Sequence, residues 1–331
     1  MKKIFYVFVV FSGILLVSGG TATAQTQYLD SLYTEIDKAT FTYYSKPSED
    51  LKLDLYNPVE NTDNDRPLLL YVHGGGFAGG ERDHPTHNSF LKNMAARGYV
   101  TATMSYTLHM KGKSFGCQRP ASTKMETFLK AARDINRATA FMLENQSRFR
   151  IDASKIVIIG SSAGAEAVTH AAYWQATRSD SNETILSPEF RYGGIVSMAG
   201  ALANIRHITD ESAVPTQMFH GTCDRLVPYG EAPHHYCSAD TPGYLMLYGA
   251  HAMMERLRNL QKGYYLVTGC NGRHEWNAWP LSKNRDLITD FVYHDVLKEM
   301  KRQIHTIMPS DDNREPCPGL NEFGFCDISR N

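Results

Sequence analysis

The sequence has little excess charge of either sign, which limits the kinds of partner it can bind. Its 331 residues include 34 Lys and Arg against 35 Asp and Glu, a formal charge of −1. Binding to nucleic acid requires a concentrated basic face, and the sequence contains no such cluster, so no nucleic-acid partner is expected. The chain also lacks internal repeats and low-complexity segments. With 42% hydrophobic and 21% charged residues, it is predicted to be globular, which excludes disorder, collagen and coiled coil as global descriptions.

The chain begins with a long apolar run. The run extends from Ile4 to Val17, follows two lysines, and precedes the small-residue segment ATA at residues 22–24. This pattern predicts a secretory signal peptide over residues 1–24, because the run is too short to span a bilayer comfortably. The alternative is an uncleaved N-terminal anchor. We therefore expect a secreted or periplasmic protein with no membrane span after cleavage, whose mature chain begins at Gln25.

Six cysteines lie in the predicted mature chain. An even number in an oxidising compartment favours disulfides. No pair has the C-x₂-C spacing of a zinc site, so neither a metal nor another cofactor is expected. The adjacent histidines His234 and His235 lack carboxylate or cysteine ligands at a suitable spacing, and we interpret them as part of a solvated loop. The cysteines are Cys117, Cys223, Cys237, Cys270, Cys317 and Cys326.

Apolar β-rich runs alternate with helical patterns, which predicts a doubly wound, mostly parallel α/β sheet. Runs such as KIVIIG and PLLLYV are apolar on both faces, as in strands covered on both sides. Eight strands are predicted at 41–45, 51–57, 67–73, 100–106, 155–160, 194–199, 216–220 and 264–268. Helices are predicted at 86–97, 123–148, 163–177, 249–262 and 284–306. We expect a single domain over 25–308 with little or no cap, followed by a C-terminal extension over 309–331.

The pentapeptide GSSAG at residues 160–164 has the form G-x-S-x-G and joins a predicted strand to a predicted helix. In that setting the glycines permit a tight turn that exposes the central serine, Ser162. The helix N-terminus places partial positive charge near the serine oxygen. Such a pentapeptide also occurs by chance, so its context gives it weight. Ser162 is the candidate nucleophile.

The segment HGGG at residues 73–76 follows the strand PLLLYV. Glycines allow backbone N–H groups to approach a substrate carbonyl, where they stabilise the negative charge that develops during acyl transfer. The alternative is an ordinary glycine-rich turn. Together with a downstream G-x-S-x-G sequence, the segment indicates an oxyanion-binding loop.

An acid and a base follow later strands. Asp224 ends the sequence HGTCD, and His274 lies in the loop after the last predicted strand. Taken alone, the first could be a turn residue and the second a surface histidine. Because the ends of parallel strands meet at one edge of a sheet, Ser162, Asp224 and His274 are expected to converge there.

With these motifs the sequence resembles the α/β-hydrolase superfamily over about residues 40–300, and within it the HGGG-bearing carboxylesterases and lipases. A more particular resemblance is to secreted bacterial carbohydrate-esterase-like hydrolases. The resemblance implies that Ser162 is the nucleophile, His274 the general base and Asp224 the residue that orients it. It also implies an oxyanion hole formed by the N–H groups of Gly75, Gly76 and Ala163. The chain departs from the family at Ala165, where a second glycine is common, and at Thr107, where many members have arginine.

The predicted function is that of a secreted serine esterase acting on a small-molecule or polysaccharide-linked ester, with short-chain or aromatic esters on carbohydrates as candidates. A serine peptidase on the same fold and a hydrolase-fold binding protein without catalysis are the alternatives. Phe77 and Trp276 flank the catalytic loops and either contact substrate or belong to the core. Glu166 lies one helical turn after Ser162 and either forms the pocket floor or faces solvent.

The cysteine positions suggest one pairing. Cys223 precedes the predicted acid and Cys270 precedes the predicted base, each just after one of two neighbouring strands. We therefore predict a disulfide between Cys223 and Cys270, with a free buried thiol at Cys223 as the alternative. By exclusion, Cys317 would pair with Cys326, and Cys117 with Cys237.

Overall fold

A computed structural model describes residues 25–181, 183–309, Cys317 and 323–326. The predicted signal peptide and most of the predicted C-terminal extension lie outside these residues. Among the described residues, no helix is both long enough and apolar enough to cross a membrane.

The strands form one large sheet and two small hairpins. In chain order they are β1 (Ile36–Ser45), β2 (Asp50–Pro58), β3 (Arg66–Val72), β4 (Val100–Met104), β5 (Ile151–Ser161), β6 (Ser179–Asp180), β7 (Glu183–Thr184), β8 (Gly194–Met198), β9 (Thr216–Gly221), β10 (Glu231–Pro233), β11 (Met246–Tyr248), β12 (Tyr264–Gly269) and β13 (Gln303–Met308).

The large sheet has nine strands in the order β1-β2-β4-β3-β5-β8-β9-β12-β13. β1 pairs with β2 and β2 with β4 in antiparallel fashion. All other neighbouring strands of this sheet pair in parallel. The predicted α/β class and the mostly parallel sheet are confirmed. All eight predicted strands are present in this sheet, and β13 is its ninth strand; the short hairpin strands β6, β7, β10 and β11 were not predicted either.

Helices cover both faces of this sheet. The α-helices are α1 (Pro85–Ala95), α2 (Ala121–Glu144), α3 (Gln146–Phe149), α4 (Ala163–Tyr173), α5 (Ala250–Asn259), α6 (Trp279–Lys283) and α7 (Arg285–Phe291). Apolar side chains of α2, α4 and α5 fill the core on one face, and those of α1, α6 and α7 fill it on the other. Along β3, Leu68 and Leu70 face the first core while Leu69 and Tyr71 face the second. This division explains why the strand is apolar at every position.

The helix predicted over 284–306 is wrong in its second half. The chain follows α7 with a π-helical turn, Val292–Leu297, and then forms β13. β13 pairs in parallel with β12, which satisfies its backbone along one edge. Its residues are mostly half-buried, as at the outer strand of a sheet, so they lack the continuous apolar run that identified the other strands.

Three disulfides connect the six cysteines: Cys117–Cys237, Cys223–Cys317 and Cys270–Cys326. The first agrees with the prediction, whereas the predicted pairs Cys223–Cys270 and Cys317–Cys326 are wrong. The two loops are neighbours, as expected, but they are joined by a backbone hydrogen bond from Cys223 N to Gly272 O of 2.7 Å. Each strand-end cysteine is bonded instead to a cysteine of the C-terminal extension.

Candidate active site

Ser162 lies at the sharp turn between β5 and α4. Its backbone has φ 52° and ψ −122°, a strained conformation for a residue with a side chain. The two flanking glycines are required by close packing. A Cβ at Gly160 would lie 2.4 Å from Gly164 O, and a Cβ at Gly164 would lie 2.2 Å from Val72 O. The turn is anchored by a 2.9 Å hydrogen bond from Ser162 N to Met198 O.

The side chains of Ser162, His274 and Asp224 form a continuous hydrogen-bonded chain. Ser162 Oγ is 2.8 Å from His274 Nε2, and His274 Nδ1 is 2.7 Å from Asp224 Oδ2. Because an ionised carboxylate can only accept, the proton of the imidazole must be on Nδ1. Nε2 of the neutral ring is then free to accept the serine proton. The structure therefore brings together the three residues predicted from the sequence.

Asp224 is completely buried and held as an anion by several donors. Its Oδ1 accepts hydrogen bonds from the backbone N–H groups of Leu226, at 2.9 Å, and Val227, at 3.1 Å. Burial alone would raise the pKa of this carboxyl, but hydrogen bonds from His220 and His274 lower it well below its usual range. A carboxylate held in this way remains charged and can stabilise an imidazolium at His274.

His220 is a part of this site that the sequence analysis did not identify. Its Nε2 lies 3.3 Å from Asp224 Oδ2 and 3.1 Å from Val227 O. Both neighbours are acceptors, so Nε2 carries a proton and is shared between them. The sequence did indicate this position. His220 lies at the end of β9 and begins the segment HGTCD, four residues before Asp224.

The HGGG segment forms a loop whose shape depends on glycine. Gly75 and Gly76 have φ values of 115° and 60°, and a Cβ at Gly75 would lie 2.3 Å from Gly79 O. Within the described residues, no group accepts a hydrogen bond from the backbone N–H of Gly75, Gly76 or Ala163. Ala163 is the first residue of α4, where backbone N–H groups lack partners within the helix. These groups are thus available to bind an anionic oxygen.

Two buried side chains, those of His73 and Tyr106, hold this loop in place. His73 Nδ1 donates to Gly74 O at 2.8 Å, and the hydroxyl of Tyr106 donates to His73 O at 3.0 Å. The rings of His73 and Tyr106 stack with centroids 4.5 Å apart. Burial lowers the pKa of His73, which favours a neutral structural role.

Several known proteins are similar to this chain in sequence or in fold. Residues 53–202 match the BD-FAE family. The esterase Est2 of the Planctomycetes species Thermogutta terrifontis superposes with a TM-score of 0.55 at 16% identity, over 79% of this chain and 89% of that chain. Its butyrate-bound form gives a TM-score of 0.56 at 15% identity, over 78% and 91% of the two chains.

The chain has the α/β-hydrolase fold. Gut esterase 1 of Caenorhabditis elegans is 30% identical over 120 residues, which are 36% of this chain and 20% of that protein. Gut esterase 1 of Caenorhabditis briggsae is 31% identical over 132 residues, 40% of this chain and 22% of that protein. The chain thus spans about a fifth of the length of these curated relatives. The resemblance to α/β-hydrolases of the esterase type is confirmed.

The site opens into a pocket of about 700 Å³. Its wall includes the apolar side chains of Phe115, Leu226, Val227 and Ala278. Cavities of this volume accommodate small organic ligands. The pocket reaches both the HGGG loop and Ser162, so an ester bound there would face both.

Phe77 and Trp276, which the sequence suggested as substrate-binding residues, do not line this pocket. Phe77 is fully buried, and its ring packs edge-on against Phe115 with centroids 5.4 Å apart. Trp276 fills the space above Gly269, where a Cβ would lie 1.9 Å from the indole ring. Both side chains point into the core, although their backbones belong to the catalytic loops.

Glu166 and the two adjacent histidines do line the pocket. The expectation of a solvated loop at His234 and His235 is wrong, because His234 is only 1% exposed and His235 is half-buried. Glu166 is 2% exposed, so it belongs to the pocket floor and not to the helix surface. The burial of His234 arises from packing against Phe115, whose ring centroid is 5.1 Å away. That contact is distant in sequence.

Proposed function

We propose that this protein hydrolyses carboxylic esters through a serine-bound acyl intermediate. The observation that carries the proposal is the hydrogen-bonded chain from Ser162 through His274 to Asp224, beside the three available N–H groups of the predicted oxyanion hole. A hydroxyl becomes an effective nucleophile when an adjacent base can take its proton. The similarity to esterases supports an ester as the substrate.

The proposed reaction has two half-reactions of the same form. Ser162 Oγ attacks the ester carbonyl while its proton moves to His274 Nε2, and the N–H groups of Gly75, Gly76 and Ala163 stabilise the resulting oxyanion. Collapse of this intermediate breaks the bond to the alcohol, which leaves with the proton from His274. Water then attacks the acyl-serine in the same way and releases the carboxylic acid. Asp224 remains ionised throughout and stabilises the transient imidazolium.

Several observations support small esters as substrates. The pocket volume of about 700 Å³ suits a short acyl chain together with an alcohol of moderate size. The structurally similar esterase Est2 has been solved with butyrate and with propionate bound. We propose short-chain esters as the first substrates to test, and esters on carbohydrates as the natural candidates, since the polar side chains of the pocket suit a hydroxylated ligand.

The test is a comparison of Ser162→Ala with the wild-type protein on p-nitrophenyl butyrate. We expect kcat to fall by about 10⁴- to 10⁶-fold while the circular dichroism spectrum is unchanged. Ser282→Ala, at an exposed position on α6, is the matched control and should retain full activity. A fluorophosphonate probe should label Ser162. Labelling of another serine, or an active Ser162→Ala protein, would contradict the proposal.

We further propose that the protein is exported and that its N-terminal segment is removed. The apolar run before residue 25 and the three disulfides support this, because disulfides persist mainly in oxidising compartments. Mass spectrometry of the protein from its native host should find Gln25 at the N-terminus. An intact Met1 would contradict the proposal.

A further inference from the structure

Glu166 presents an unusual buried group beside the candidate nucleophile. It lies four residues after Ser162 on α4, and its backbone N–H donates to Ser162 O at 2.9 Å. The side chain lines the pocket and is 2% exposed. Among the described residues, no group forms a hydrogen bond with its Oε1. Burying an unpaired carboxyl oxygen is costly, and such groups in native proteins call for an explanation.

His234 lies across the same part of the pocket. Its Nε2 is 3.7 Å from Glu166 Oε1, too far for a direct hydrogen bond. Its Nδ1 is buried without a partner among the described residues. The ring packs against Phe115, and the backbone of His234 is held by a 2.8 Å hydrogen bond from its N–H to Leu245 O. Two buried polar groups thus line the pocket without forming a hydrogen bond to each other.

The electrostatic environment favours the neutral form of both groups. Burial and the nearby charge of Asp224 raise the pKa of Glu166 well above its usual range, against the opposing effect of Lys124. Burial lowers the pKa of His234, as do electrostatic interactions with His235 and Lys124, against the opposing effect of Asp224. Lys124 itself is engaged, because its Nζ donates to Gly243 O at 2.9 Å. In its neutral form Glu166 is both a hydrogen-bond donor and an acceptor, and neutral His234 keeps one unprotonated ring nitrogen.

We propose that Glu166 and His234 form a subsite that binds a hydroxyl group of the substrate, close to the ester that Ser162 attacks. A hydroxyl both donates and accepts, so it can satisfy a neutral carboxyl and a neutral imidazole at once. A purely apolar substrate would leave both groups unpaired, so the site should favour ligands that carry the hydroxyl. This subsite rests on the proposed ester hydrolysis and adds to it a selectivity for substrates that carry a hydroxyl group.

The experiment compares two matched pairs of esters. In the first pair the hydroxyl is on the acid: p-nitrophenyl 3-hydroxybutyrate, in each enantiomer, against p-nitrophenyl butyrate. In the second it is on the alcohol: 2-hydroxyethyl butyrate against propyl butyrate. The quantity measured is the ratio of kcat/KM within each pair, divided by the ratio for alkaline hydrolysis, so that intrinsic reactivity cancels.

The wild-type protein should prefer the hydroxylated ester in at least one pair by about 2- to 12-fold, the contribution of one typical hydrogen bond. Glu166→Leu, which keeps the approximate volume but cannot hydrogen-bond, should lose that preference, and His234→Leu should reduce it. Glu166→Gln should retain it, because an amide donates and accepts as a neutral carboxyl does. Glu126→Leu is the matched control, since Glu126 is exposed on α2, paired with Lys130 at 2.8 Å.

The outcomes separate this inference from the proposed function. A preference confined to one pair assigns the hydroxyl to the acid or to the alcohol. No preference in the wild-type protein, in either pair, overturns the subsite even if Glu166→Leu fails to fold. A preference that survives in folded Glu166→Leu overturns it as well. Absence of Ser162-dependent hydrolysis of the plain esters would instead refute the proposed function.

Discussion

The disulfide between Cys117 and Cys237 joins two segments that form one wall of the pocket. Phe115 lies two residues before the first cysteine, and His234 and His235 lie shortly before the second. We expect its removal to affect both stability and substrate binding. For a sequence separation of 120, the chain-entropy model gives a loss of about 5 kcal/mol in the free energy of unfolding. That is a large part of the total for a typical domain, about 5–15 kcal/mol.

The assay uses the double variant Cys117→Ala/Cys237→Ala. Denaturant titration in an oxidising buffer should show a lower midpoint, and the free energy of unfolding follows by linear extrapolation. Steady-state kinetics on p-nitrophenyl butyrate should show a severalfold rise in KM with a smaller change in kcat. The reason is that the variant loosens the wall around Phe115 and His234, whereas the triad is built on other loops.

A second double variant, Cys270→Ala/Cys326→Ala, is the control. Its disulfide spans a separation of 56, for which the same model gives about 4 kcal/mol. Because Cys270 lies four residues before His274, its loss should lower kcat more than it raises KM. Equal effects of the two variants on kcat and KM, or an unchanged free energy of unfolding after removal of Cys117–Cys237, would refute this reasoning.

Three further predictions concern buried titratable groups. Asp224→Asn should lower kcat by about 10⁴-fold with an unchanged circular dichroism spectrum, because the amide no longer stabilises the imidazolium; near-normal kcat would point to another acid. His220→Leu should lower kcat by about 10- to 150-fold, the effect of removing one hydrogen bond to the charged Asp224, and an unchanged kcat would show that this contact is dispensable. Glu166→Gln should raise the melting temperature at pH 8 but not at pH 4. The folded protein retains the Glu166 proton where the unfolded chain loses it, so wild-type stability falls as pH rises above the usual carboxyl range. A melting temperature equal to that of the wild type at both pH values would contradict the neutral state of Glu166.

The central strands could be predicted because they are covered on both faces. In β3 and β5 consecutive apolar residues serve two different cores, so the whole segment is apolar. β13 is the last strand at one edge of the sheet, and its residues are mostly half-buried. Its sequence QIHTIM mixes polar and apolar residues, so the sequence alone does not distinguish a strand from the end of a helix. β13 forms because its backbone pairs with β12, an interaction that the local sequence does not reveal.

The three candidate catalytic residues could be predicted because each follows a strand of the same parallel sheet, so chain order implied proximity in space. No comparable rule predicts the direction in which a side chain of a loop points. Phe77 has a positive φ of 56°, and its ring is directed into the core and not into the pocket. His234 is buried by Phe115, a contact between segments more than a hundred residues apart. Pocket residues of this kind follow from tertiary packing alone.

The cysteine pairing illustrates what an argument from neighbouring strands must include. β9 and β12 are neighbours, and their register places His220 opposite Thr268 and Gly221 opposite Gly269. Extending that register by one residue places Thr222, not Cys223, opposite Cys270. Side chains that differ by one position point to opposite faces of a sheet, so the two cysteines do not face each other. The acid and base loops are therefore neighbours, as expected, but each of their cysteines pairs with a cysteine elsewhere in the chain. The C-terminal extension provides both partners, Cys317 and Cys326.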